Sequence, residues 1–228
     1  MLVTTETMIK KAVIVVMLLF QGSLFGQAIN DFGTWWGVEV RKTFLNDFRV
    51  SVQAEMRLNE NSQFTKNFFI APSFRYSPLK WLYIAANYRF DNRYDAFDRY
   101  FTQRHRIALD LGFTWEIKRF EIEYRNRYQM HWENYFTDKT EYPVMFSRNR
   151  LGLSYKWPQL PFTTSISGEL WLPVETNTEL SKFRFVACQE YKLKKKHRFQ
   201  LRFVFQTDLN QSAPLREYIL SARYIFAF

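Results

Sequence analysis

Phe48-Arg49-Val50-Ser51-Val52-Gln53-Ala54-Glu55-Met56-Arg57-Leu58 alternates without a break. Phe48, Val50, Val52, Ala54, Met56 and Leu58 are apolar, and Arg49, Ser51, Gln53, Glu55 and Arg57 lie between them. A period of two sends the two sets to opposite faces of a β-strand, whereas a helix would need apolar residues every three or four positions. The same alternation governs Leu82–Phe90, Arg104–Trp115 and Phe120–Met130. No stretch after Ile29 keeps a helical period.

Eleven such segments are expected, roughly over 34–42, 48–58, 67–77, 81–91, 103–115, 120–132, 146–157, 162–172, 182–193, 197–207 and 217–228. Most have the ~9–11 residues that a tilted transmembrane strand requires. Short connections (43–47, 78–80, 116–119, 158–161, 194–196) alternate with longer ones (59–66, 92–102, 133–145, 173–181, 208–216). Short turns at one rim and long loops at the other are the habit of an outer-membrane barrel.

Composition agrees once the faces are separated. The 228 residues are 47% hydrophobic, 19% aromatic and 24% charged, with mean hydropathy −0.34 and only 7 Gly. The aromatic load excludes a disordered chain, and the charge excludes a bundle of membrane helices. Length leaves room for about one domain.

Residues 1–28 read as a cleaved signal peptide. Lys10 and Lys11 precede the apolar run Ala12–Phe20, which is too short to span a bilayer, and Gly26-Gln27-Ala28 offers small residues for cleavage. Residues 29–228 then form one domain in an exported protein. The single Cys188 cannot make an internal disulfide, so strand pairing must hold the fold.

A soluble β-sandwich would also alternate. Three features weigh against it: strands longer than the usual sandwich strand of about 5–6 residues, a steady hairpin rhythm, and Trp81, Trp115, Trp132 and Trp157 at segment ends, where interfacial girdles form. A small barrel also could not enclose so many large apolar side chains, so they must face outward. The expected class is therefore all-β, an antiparallel transmembrane outer-membrane barrel of about 10–12 strands. Bacterial single-chain barrels normally have even counts, which favours twelve strands, with ten as the alternative.

The C-terminal stretch Tyr218, Leu220, Ala222, Tyr224, Phe226 and Phe228 alternates to the last residue. It resembles the terminal strand of bacterial outer-membrane barrels, which implies that Tyr218, Leu220, Tyr224, Phe226 and Phe228 are read by the barrel-assembly machinery. Gly33-Thr34-Trp35-Trp36-Gly37-Val38-Glu39, with a following strand that ends Glu55-Met56-Arg57-Leu58, resembles the start of the Gram-negative outer-membrane barrel family filed as domain of unknown function 2490. The resemblance extends over 29–228 and implies fold and location, not chemistry.

On the polar row lie 17 cations (Arg41, Arg49, Arg57, Arg75, Arg89, Arg104, Arg106, Arg125, Arg127, Arg148, Arg150, Lys156, Arg184, Lys192, Arg198, Arg202, Arg223) and nine anions (Glu39, Glu55, Asp91, Asp110, Glu121, Glu123, Glu169, Glu190, Glu217). Their excess accounts for most of the net charge of +10. The basicity is thus an interior property, which argues against nucleic acid as a partner. Either the charges pair across a plugged lumen and stiffen it, or the excess arginine lines a narrow channel that favours anions.

Catalytic candidates are thin. His105, Ser147 and Asn149 share the outward row, but about 10 Å across one intervening strand separates His105 from Ser147. His131, on the lumenal row, could meet Asp91 or Asp98; His197 borders a basic turn. No phosphate loop, dinucleotide loop, CxxC or HExxH is present, so no cofactor or metal site is expected. The aromatic, acidic loop 92–102 lacks the glycine and terminal glutamate of the known calcium loop. It suits contact with lipopolysaccharide or a protein partner. Expected partners are outer-membrane lipid, lipopolysaccharide and the assembly machinery. A role as accessory subunit of a larger outer-membrane complex, or less readily as a lipid hydrolase or protease, is the alternative.

Overall fold

The computed structural model describes residues 28–95, 100–133, 143–174 and 179–228, so residues 1–27 of the expected leader, and Asp98, lie outside the described residues. Eleven strands form among them: β1 (Ile29–Phe44), β2 (Phe48–Asn59), β3 (Phe64–Leu79), β4 (Leu82–Asp95), β5 (Tyr100–Ile117), β6 (Phe120–Glu133), β7 (Val144–Lys156), β8 (Phe162–Pro173), β9 (Lys182–Lys192), β10 (His197–Asp208) and β11 (Leu215–Ala227). They close into one barrel in which each strand pairs with its sequence neighbours and β1 meets β11.

That last junction corrects the expected strand count. Sequence-adjacent strands pair antiparallel, but β1 and β11 run parallel, from Ile29 opposite Leu215 to Arg41 opposite Ala227. An all-antiparallel ring needs an even number. One parallel junction lets eleven strands close with their backbone groups still paired, as the 19 strands of a mitochondrial channel do.

Two of the connections expected to be long are shorter than the sequence suggested. β2 ends at Asn59 and β3 begins at Phe64. β4 and β5 stay paired as far as Tyr94–Phe101 and Asp95–Tyr100, so most of 92–102 is strand. Backbone pairing continues past the apolar belt, where side-chain composition no longer marks it. At the other rim the turns are tight. Lys118 takes a positive φ of 56° between Ile117 and Phe120, as the first position of a two-residue hairpin can require.

The two faces are inverted relative to a soluble protein. Val38, Val50, Ile70, Ile84, Leu109, Leu151, Leu201 and Leu220 are exposed on the outside, while Glu39, Glu55, Asp91, Asp110, Arg148, Glu169 and Glu217 are buried within. Even the shortest strand, β9 with 11 residues, covers about 26 Å of height at ~3.4 Å per residue and a ~45° tilt, enough for an apolar belt of about 25 Å. Trp81, Trp115 and Trp157 lie at the short-turn rim and Trp132 near the long-loop end of β6.

Candidate functional site

The lumen is organised around carboxylate hubs. Register places Glu55 of β2 opposite Gly37 of β1, and the side chain of Glu55 is only 1% exposed. It pairs with Arg57 at 2.9 Å, with Arg223 of β11 at 2.9 Å and with Arg202 of β10 at 3.2 Å. Because β1 lies between β2 and β11, this hub spans the parallel seam. A second hub forms on the far wall: Glu169 of β8 pairs with Arg125 of β6 at 2.5 Å, with Arg148 of β7 at 2.6 Å and with Arg184 of β9 at 3.9 Å. Smaller pairs fill the space between. Arg127 grips Asp110 with two nitrogens at 2.6 and 2.7 Å, and Arg150 bonds Glu123, which also accepts the Tyr83 hydroxyl at 3.0 Å. Buried charges persist only when paired in this way.

Aromatic side chains, which charge alone does not reveal, complete the inner wall. The Arg57 guanidinium lies 3.9 Å from the Trp35 ring, Arg89 lies 3.5 Å from Phe69, Arg75 lies 3.5 Å from Tyr83 and Arg148 lies 3.9 Å from Trp171. These contacts stabilise a guanidinium without neutralising it. Their signal was available: Trp35 shares parity with Glu39, and Trp171 with Glu169. Lys66 was not legible. A bulge opposite Arg57 and Leu58 leaves it without a ladder partner and lets its ammonium reach Glu217 on β11 at 2.5 Å.

Between these groups lies a cavity of about 610 Å³. Eleven arginines and three carboxylates (Glu39, Glu123, Glu169) line it. Of the lumen residues expected from sequence, Glu39, Arg41, Arg57, Arg89, Arg106, Glu123, Arg125, Arg127, Arg148, Arg150, Glu169, Arg184, Arg202 and Arg223 border this cavity. Arg49, Glu55, Arg75, Arg104, Asp110, Glu121 and Arg198 belong to the same inward rows, above, below or behind its lining. Glu121 meets Lys156 at 3.2 Å, and Arg198 meets Glu190 at 3.1 Å. On β11, Tyr218, Leu220 and Tyr224 are exposed outward and Phe226 is half-buried; Phe228, just past the strand, is exposed.

The hydrolase candidates are not brought together. His105 is level with Trp132 of β6 and Ser147 with Tyr128, so four residues of rise add about 13 Å to two strand spacings. His105 shares a hydrogen bond with the Tyr88 hydroxyl at 2.7 Å. Ser147 belongs to an outward cluster in which Asn126 donates to Ser147 at 3.2 Å and to Asn149 at 2.9 Å, and Tyr124 donates to Asn149 at 2.7 Å. His131 stacks on Phe146, and His197 shares a 2.5 Å hydrogen bond with Tyr224. Asp91 accepts from Asn67 at 2.6 Å.

Fold and lumen together define a closed β-barrel with a charged, aromatic-braced interior. Residues 32–215 match the family described as "Protein of unknown function (DUF2490)", and the chain belongs to that family. A sequence search of curated proteins gives no match. Among solved structures the chain is similar to a "Bacterial polysaccharide outer membrane secretin", with TM-score 0.50 and 11% identity over 77% of this chain and 63% of that one. The chain thus covers less than two thirds of that protein, and the likeness is one of fold.

Proposed function

We propose that this protein, exported through a cleaved leader, is an integral outer-membrane barrel whose narrow, arginine-lined lumen favours anions and performs no catalysis. One observation carries this reading: eleven arginines line the cavity against three carboxylates, and the cations still lead eleven to five when Glu55 and Asp110, which pair with four of those arginines, are added. A pore wall with such an excess lowers the energy of an anion and raises that of a cation. The Glu55 and Glu169 hubs fix the width of the lumen, so stiffening and narrowing are one device. The exposed apolar belt supports a lipid environment, and the solved neighbour is itself described as an outer-membrane protein. Lipid and lipopolysaccharide would then contact the belt, and β11 would present its aromatic row to the assembly machinery.

Reversal potential under a salt gradient, measured on the purified protein in a planar bilayer, tests the reading. The expected result is a small conductance with anion preference. No conductance rejects the channel and leaves a stiffened structural barrel. Cation preference rejects the electrostatic argument.

The outward Asn126–Ser147–Asn149 cluster favours a second reading, that of an accessory subunit. Asn126 lies midway along β6, six residues from each of Phe120 and Trp132, and polar groups at mid-depth of a lipid-facing wall are costly. Burial against a partner in the membrane plane would relieve that cost. Copurification after gentle detergent extraction, lost in an Asn126→Leu variant, would support it. Since Ser147 has no histidine within reach, the purified protein is expected to show no phospholipid hydrolysis above background, unchanged by Ser147→Ala. Hydrolysis abolished by that substitution would overturn the non-enzymatic assignment.

A further inference from the structure

On the inner wall of β1–β3, toward the short-turn rim, two rungs of the ladder carry bases and hydroxyls but no acid. Arg49 stands directly opposite Arg75, and one rung deeper Ser51 stands directly opposite Ser73. Arg41 and Thr43 of β1 flank them, opposite Ser51 and Arg49 respectively. Directly opposed side chains on one face have Cβ atoms about 4.5–5.5 Å apart, and like charges so placed repel. On β6 and β7 such repulsion is answered: Arg125 opposite Arg150, and Arg127 opposite Arg148, each meet a carboxylate. Here, among the described residues, no carboxylate lies in ion-pair range of Arg49 or Arg75; the nearby Glu39 is engaged by Arg41 at 2.7 Å and Arg223 at 3.6 Å. The Nε of Arg49 is buried with no hydrogen-bond acceptor, and Arg75 has only the Tyr83 ring at 3.5 Å. The Ser51 and Ser73 hydroxyls sit 3.2 Å apart, and both border the cavity.

We infer that Arg49, Arg75, Ser51 and Ser73 form a binding site for a tetrahedral oxyanion of the phosphate class. Two guanidinium forks match oxyanion geometry, each able to donate two parallel hydrogen bonds. Two hydroxyls at the base supply donors to the remaining oxygens, and the bound anion supplies the charge that the opposed arginines lack. A carboxylate, with about four lone-pair sites on its two oxygens, would leave about two of these donors unused. The site deepens the anion-favouring reading of the lumen, but rests on inner-wall geometry alone and does not require that ions pass through.

Calorimetric titration of the full-length mature protein in detergent with inorganic phosphate at low salt tests this. Phosphate is expected to bind at one site, more tightly than acetate. Arg49→Gln and Arg75→Gln should each weaken it about tenfold or more, the loss of roughly one charge-assisted hydrogen bond. Arg119→Gln, in a turn outside the lumen, should leave it unchanged. Arg49→Lys and Arg75→Lys keep the charge, and so serve if the glutamine variants fail to fold; they should still weaken phosphate while leaving acetate little altered. Equal affinity in wild type and the Arg49 and Arg75 variants, or equal affinity for acetate and phosphate, would overturn the site. Glycerol 3-phosphate separates sources: tighter binding than phosphate points to a lipid headgroup, equal or weaker binding to the free anion. If phosphate binds but no current flows, the site stands and the channel falls; if current flows without phosphate binding, the reverse holds.

Discussion

Replacing Glu55 by leucine is expected to lower the unfolding free energy by about 3–5 kcal/mol, the usual cost of removing one partner from a buried charge cluster. The reason is local. Three guanidinium groups, from Arg57, Arg202 and Arg223, converge on one carboxylate. Without it they repel one another in a space too confined for full hydration. The hub also ties β2 to β10 and β11 across a parallel junction, which is slightly weaker per residue than an antiparallel one. Urea unfolding in lipid vesicles, followed by tryptophan fluorescence, would measure the loss. Glu116→Leu removes an exposed partner of Lys156 at the rim and should cost about 1 kcal/mol or less. Equal costs at the two positions would show that the seam does not depend on its inner charges.

A second large effect is expected at Gly112. Tyr83 of β4 lies opposite it and folds its ring across the glycine, so that an added Cβ would overlap the ring. The ring cannot move freely, because Arg75 covers its face and its hydroxyl donates to Glu123. Gly112→Val should therefore destabilise the barrel by about 3 kcal/mol, at the upper end of overpacking costs. The same substitution in a Tyr83→Ala background should cost less than about 1 kcal/mol more, the non-additivity expected of residues in contact. Additive losses would refute the steric explanation.

Strand identity and sidedness were legible because one physical rule, alternation between an apolar outer face and a polar lumen, acts on nearly every residue. Phe48 to Leu58 alone sets the phase of β2, and Tyr218 to Phe228 that of β11. The limits of strands were less legible: above the belt, Tyr94 and Phe101 pair as well as any residues within it, yet nothing in their composition distinguishes strand from loop. The strand count failed for a different reason. Parity follows from pairing direction, and no local pattern in Ile29–Phe44 records that it will lie parallel to the last strand. The hubs were only half visible. Glu55 and its arginines were all assigned inward, but which cation meets which carboxylate depends on cross-strand register. Lys66 was lost altogether, since a bulge shifts the phase by one residue and alternation has no memory of it.

The parallel seam also constrains the order of folding. Ten junctions can zip as hairpins, each between strands adjacent in the chain. The eleventh joins the first strand to the last, with Ile29 finding Leu215 across nearly the whole domain. No hairpin can prefigure it, and contacts so distant in sequence form slowly because the chain must be ordered before they reward it. The edges of β1 and β11 therefore stay open until the rest of the sheet exists. The Lys66–Glu217 and Glu55–Arg223 pairs, which reach over that gap, can act only as the final latch.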